Sequence, residues 1–323
     1  MKRIAWVLVI IFLLVLICSY FIPVTRQKQV FVANTFENII SSVTDLRHWT
    51  KWNSEVRQAW RKDSSACQFR KDPASPVSTI DVPGRKISIT ALSFLLYQIE
   101  ETHSHGASVF TFSITPYVGN GQPRSQHNST IAYAHTTNLL SVLLPFLDYG
   151  SFAEKTIADL VSYLQDNSRF YGFPIELKQA ADTFFLTQKA RVSKNEFFTR
   201  IPAVFTSLEQ FAKDNQCIPG HRNISFGLPN NDSLDILAGV NIDKIANGDG
   251  TSNFMQLPSG QILLTGYFQG PFFNRPLLYK AMEKYLLDHQ LVKGGASFEK
   301  YLSPLPLSDS SMIQVELSYP LRY

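Results

Sequence analysis

Few combinations of side chain and spacing in the 323 residues could carry chemistry. Glu299 and Tyr301 stand two apart, which on a strand puts a carboxylate and a phenol on one side. Glu299 could work as acid or base together with Tyr301 or Tyr267. Equally, Glu299 could be a surface residue paired with Lys300 or Lys293. Tyr267 and Phe268 are consecutive, so at most one of them faces a common pocket. Trp49 and Trp52, at i and i+3, share one side of a helical turn and either line a cavity mouth or belong to a core. His103 and His105 lie near Glu100 and Glu101 at a spacing that a metal permits. No third ligand is evident there, and Ser104-His105-Gly106 reads as a turn.

The common catalytic signatures are missing from the sequence. It contains no GxSxG elbow, no P-loop and no HExxH. Asn247-Gly248-Asp249-Gly250 lacks the flanking ligands of a calcium loop. Nothing calls for a cofactor or a metal. These absences favour a binding protein over an enzyme, with a purely structural scaffold as a third reading.

The elements that must position these residues are built from a chain with 45% hydrophobic and 17% charged residues, ample for packed cores. The net charge of +4 comes without any basic run, so no nucleic-acid partner is expected. Cys18, Cys67 and Cys217 form neither a disulfide framework nor a CxxC site.

Ile4 to Ile22 carries no charge, is long enough to span a bilayer, and is flanked by Lys2 and Arg3 before it and Pro23 after it. A cleaved signal peptide would have a shorter apolar run ending in small residues. The expectation is an uncleaved anchor at residues 1–28 in the inner membrane of a bacterial cell, leaving the bulk of the chain outside the cytoplasm.

The remainder reads as α+β. A strand at Gln29–Asn34 leads to a helix carrying Phe36, Ile39, Ile40 and Val43, with Asn34 and Glu37 as its capping pair. Period-two alternation follows from about 66 to 138, the pattern of an antiparallel meander. A long helix from about 151 to 167 shows an apolar stripe of Ala153, Ile157, Leu160, Val161 and Leu164. Beyond residue 174 the order strand, helix, strands occurs twice. The second of those helices is expected to run from Leu277 to Leu291 and to stop at Gly294-Gly295.

With Phe31-Val-Ala-Asn-Thr-Phe-Glu-Asn-Ile-Ile40, the Trp49/Trp52 turn and the long closing helix, residues 29–173 resemble the START-like helix-grip family. The resemblance implies a sheet gripping a helix over a cavity for apolar or amphipathic molecules, with Trp49 and Trp52 as contacts. Residues 174–323 resemble the gyrase-inhibitor-like effector-binding domain. The matching text is Leu257-Pro-Ser-Gly260, Tyr267-Phe-Gln-Gly270, Phe298-Glu-Lys-Tyr301 and Val315-Glu-Leu-Ser-Tyr-Pro-Leu321. That resemblance implies a small hydrophobic or amphipathic, cationic ligand held in an aromatic pocket by Glu299, with Tyr301, Tyr267 and Phe272 as wall residues. No helix-turn-helix segment precedes it, so a regulator's DNA binding is not implied.

Overall fold

The computed structural model describes residues 14–71, 75–104, 106–116, 128–140, 152–180, 183–193, 195–227 and 233–322. It divides into two compact units, residues 1–169 and 170–323, each an α+β arrangement built on one antiparallel sheet. Residues 14–21 are helical. Among the described residues no helix is long and apolar enough to cross a membrane. Residues 1–13 of the expected anchor lie outside the described residues, as does His105.

The first unit has a seven-stranded sheet. Its strands are β1 (Pro23–Val32), β2 (Gln68–Lys71), β3 (Val77–Val82), β4 (Arg85–Ala91), β5 (Leu96–His103), β6 (Gly106–Pro116) and β7 (Ser129–Asn138). From β2 to β7 the strands pair in sequence order, and β1 closes the far edge against β7. The alternation of Ile87, Ile89, Phe110, Phe112, Ile114 and Ile131 with polar neighbours puts these side chains in the core. On that core lie helices α1 (Phe36–Thr44), α2 (Trp49–Trp52), α3 (Ser54–Lys62) and α4 (Phe152–Gln165). The first strand begins six residues earlier than expected, at Pro23 rather than Gln29, inside the stretch expected to be anchor.

The cap of α1 also differs from expectation. Thr35, not Asn34, is the N-cap, accepting from the Asn38 amide at 3.2 Å. Asn34 is buried and reaches the Leu164 carbonyl at 3.0 Å and the Asn38 carboxamide at 2.8 Å. It ties α1 to the end of α4.

The second unit follows α5 (Asn167–Tyr171) and centres on a longer sheet. Its strands are β8 (Ile175–Gln179), β9 (Thr183–Ser193), β10 (Pro219–Phe226), β11 (Ser233–Ile242), β12 (Ser252–Leu257), β13 (Ile262–Pro271), β14 (Val292–Lys293), β15 (Phe298–Tyr301) and β16 (Met312–Arg322). Helix α6 (Phe197–Asp214) lies between β9 and β10, and α7 (Pro276–Asp288) follows β13.

The strand order β12-β9-β11-β10-β15-β16-β13-β8 has an internal two-fold logic. The trio β9-β11-β10 with α6 mirrors β13-β16-β15 with α7, and the two trios meet where β10 pairs with β15. Each edge strand comes from the other half of the chain: β8 precedes β9 but pairs with β13, while β12 precedes β13 but pairs with β9. The two repeats are thereby laced into one sheet.

Helix α7 sits unusually close to its strand. A Cβ at Gly266 would lie 2.7 Å from Met282 Sδ and 2.9 Å from Leu278 Cδ1, so any larger residue would have to displace those two side chains. The helix ends at Asp288, with Gln290 in the left-handed region at φ 50°, short of the glycine pair expected to stop it. Gly294 instead lies against the backbone of Leu321 at the β14–β16 pairing, where a Cβ would be 3.0 Å from the Leu321 carbonyl group.

Candidate ligand-binding site

Register decides which side chains of the second unit can meet. Directly paired residues share a face. Across the two-fold, Ile224 pairs with Glu299, Glu299 with Leu317, and Leu317 with Gly266. This row faces the helices, because Gly266 lies beneath Leu278 and Met282 of α7. The strand alternation that buries Leu317 and Val315 therefore carries a carboxylate into the same interior: Glu299 is 0% exposed.

Three groups close on that carboxylate. Tyr279 donates its hydroxyl to Oε1 at 2.6 Å, and Tyr301 donates to Oε2 at 2.9 Å. The Arg275 guanidinium completes the cluster, with Nε 3.1 Å from Oε1 and Nη1 3.4 Å from Oε2. Arg275 and Tyr279 are four apart at the start of α7, so one helix face delivers both. The Arg275 Nε is buried without an aligned hydrogen bond, so its contact with Glu299 is that of an ion pair.

Aromatic faces surround the cation. The guanidinium carbon lies 4.1 Å from the centroid of Phe272 and 4.5 Å from that of Phe226. Phe197 and Phe198, at the start of α6, pack on Phe272 with centroids 5.5 and 5.4 Å away. The result is a seat for a flat, delocalised cation: a carboxylate on one side, two phenyl rings beside it, two phenols above. Here the chain's own arginine sits in it.

The electrostatics follow from burial. Loss of water pushes the Glu299 carboxyl above the usual range, against Arg275 and the two phenols, which favour its ionised form. Tyr279 and Tyr301 are driven upward by burial and then by the carboxylate, so both remain protonated donors. Burial opposes the charge on Arg275, but Glu299 and the phenols outweigh it and the guanidinium holds its proton more firmly than usual. Both carboxylate oxygens are engaged, each accepting from a phenol and facing the guanidinium. The arrangement can hold a positive charge against Glu299.

The remaining residues singled out from sequence fall elsewhere. Tyr267 pairs with Glu316, on the opposite face from the row of Glu299, so it cannot be a wall of this site. Its hydroxyl accepts from Lys178 and donates to Glu176 at 3.2 Å, in a half-exposed polar patch. Phe268, its neighbour, is the buried one. Trp49 and Trp52 are 0% and 1% exposed, and their indole N–H groups donate to the carbonyls of Val43 and Ser42, each at 2.9 Å. A residue at a cavity mouth needs free surface, and these two have none, so they pack the first unit's core.

Sequence reasoning missed Arg275, Tyr279 and Phe226. An arginine just before a proline at a helix start reads as a solvated end. Only the i, i+4 relation to Tyr279, together with Phe272 close upstream, hinted at a shared inward face. Among the described residues no group of three or more His, Cys, Asp or Glu could hold a metal ion.

No family model matches the chain, and no curated protein matches it. Solved structures to which it is similar include the C-terminal domain of EcmrR, at 14% identity and TM-score 0.39, covering 46% of this chain and 98% of that one. A hydrolase from Listeria innocua is similar at 9% identity and TM-score 0.35, covering 46% and 91%. SAV2435 bound to tetraphenylphosphonium is similar at 15% identity and TM-score 0.29, covering 46% and 94%.

Proposed function

We propose that the second unit is a non-catalytic binding module for small amphipathic molecules carrying a delocalised cation, and that Glu299 is its recognition centre. The observation that carries this reading is the buried carboxylate facing a guanidinium flanked by Phe226 and Phe272. Cation–π contact of this kind contributes about 0.5–2 kcal/mol per ring, more when water is excluded. Arg275 fills the seat. Its side chain is 15% exposed, so it has a path to solvent and can yield its place to a ligand that brings more apolar surface.

Thermal-shift titration of the full chain with lipophilic aryl cations tests the reading. A rise in midpoint that disappears in Glu299→Gln supports it. Equal shifts in the two proteins, or none in either, contradict it.

Residues 4–22 are proposed to tether both units to the inner membrane, with the bulk of the chain outside the cytoplasm, where amphipathic cations concentrate in the bilayer surface. The run of uncharged residues there supports this reading. The first unit is proposed as a helix-grip domain on its sequence resemblance.

A further inference from the structure

The sheet of the second unit has two faces, and the helices account for only one. On the other face lies a cavity of about 210 Å³. Phe185, Leu237 and Phe298 are among its apolar walls, with Phe185 and Phe298 edge to face at 6.3 Å between centroids. Its polar lining includes Asn223 and Ser225. Register confirms the side: Asn223 pairs with Lys300 and with Gly239, both out of phase with the row that carries Glu299.

Three features define what this cavity could hold. None of the side chains lining it is ionisable, and Lys300 and Lys189, opposite Asn223 and Leu237 on this face, lie outside the lining, so an ion in the cavity would exchange water for uncharged walls. The Asn223 carboxamide donates to the His221 carbonyl at 3.1 Å and to Asn241 Oδ1 at 2.7 Å, and its own oxygen accepts nothing among the described residues. The Ser225 hydroxyl likewise makes no hydrogen bond among them. Gly239 contributes no side chain to the wall, and a Cβ there would lie 3.4 Å from Thr187 Cγ2. The volume lies between a cavity of about 150 Å³ that accepts benzene and the roughly 300–1,000 Å³ of drug-sized sites.

We infer that this face is a second binding site, for a neutral molecule of bicyclic-aromatic size that has an apolar body and one hydrogen-bond donor. The donor is received by the Ser225 hydroxyl, and the body lies between Phe185, Leu237 and Phe298. Strand β15 lies between the two sites: Glu299 faces one and Phe298 the other. The site stands independently of the Glu299 reading.

Isothermal titration of the full chain with 2-naphthol, naphthalene and 2-naphthoate tests the inference. The expected order is naphthol tightest, naphthalene weaker by about tenfold for want of a donor, and naphthoate weaker still. Gly239→Leu, which fills the cavity, abolishes naphthol binding, and Glu299→Gln leaves it unchanged. Ser225→Ala removes a hydroxyl that supports nothing in the fold and lowers the preference for naphthol over naphthalene several-fold. That variant keeps the test open should Gly239→Leu fail to fold. Absence of naphthol binding, naphthoate binding as tight as naphthol, or an unaltered preference in Ser225→Ala overturns the inference.

Discussion

Glu299 combines complete burial with a neighbouring cation, and these two influences act on its proton in opposite directions. Burial wins, so the folded carboxyl titrates above the ordinary glutamate range. An acid with a raised folded value keeps its proton where the unfolded chain has lost it, so its stabilising share is full at low pH. That share falls as pH rises from the ordinary glutamate range through the raised value, then levels. Urea midpoints of the wild type minus those of Glu299→Gln should trace this decline, and a difference that grows with pH in that window would contradict it. Truncating the partner is harsher. Arg275→Ala leaves the buried carboxyl uncompensated and should cost about 3–5 kcal/mol of unfolding free energy, measured by urea denaturation. Part of this residue scale was legible in the sequence: Glu299, Tyr301 and Phe272, named together from short motifs, do share one interior. Arg275 was not legible, because a cation at a helix start is ordinary, and only the sheet register shows what lies opposite it. Tyr267 was misplaced for the same reason. Period two puts it on the far face once the parity of Glu299 and Leu317 is known.

Helix α7 delivers Arg275 and Tyr279 to the site, and its seating depends on Gly266. Replacing Gly266 with valine would force a side chain into Met282 and Leu278 at less than contact distance. Overpacking of this sort costs about 1–3 kcal/mol. Because the helix carries two of the groups around Glu299, the variant should also lose aryl-cation binding; one that keeps full affinity would show that the helix does not position the site. At this scale the long periodic elements were legible. The stripe of α4 announces itself because the helix buries one side of a regular repeat. The shorter elements were not. Helix α3 has a strongly polar composition with only Val56 buried, and β10 and β12 lack a clean alternation of buried and exposed positions. The end of α7 was misjudged because a glycine pair resembles a helix stop even when it serves a close approach of strands.

Across the whole chain, the lacing of edge strands explains why the second unit forms one sheet from two repeats. Neither trio is complete without the strand supplied by the other half of the sequence. That exchange was invisible in the sequence, because a strand's local pattern does not name its distant partner. The proposed tether belongs to this scale as well. Full-length protein should stay with carbonate-washed membranes and a chain lacking residues 1–22 should be released, as followed by immunoblot; release of both would remove the anchor from the account. The central claim is that the second unit's interior holds one delocalised cation against Glu299, its own or a foreign one. Titration calorimetry of phenylguanidinium into the full-length Arg275→Ala variant tests this directly. One equivalent should bind in the vacated seat, and none should bind when Glu299→Gln is added to the same variant. Binding that survives the second substitution, or no binding in the first, would contradict the claim.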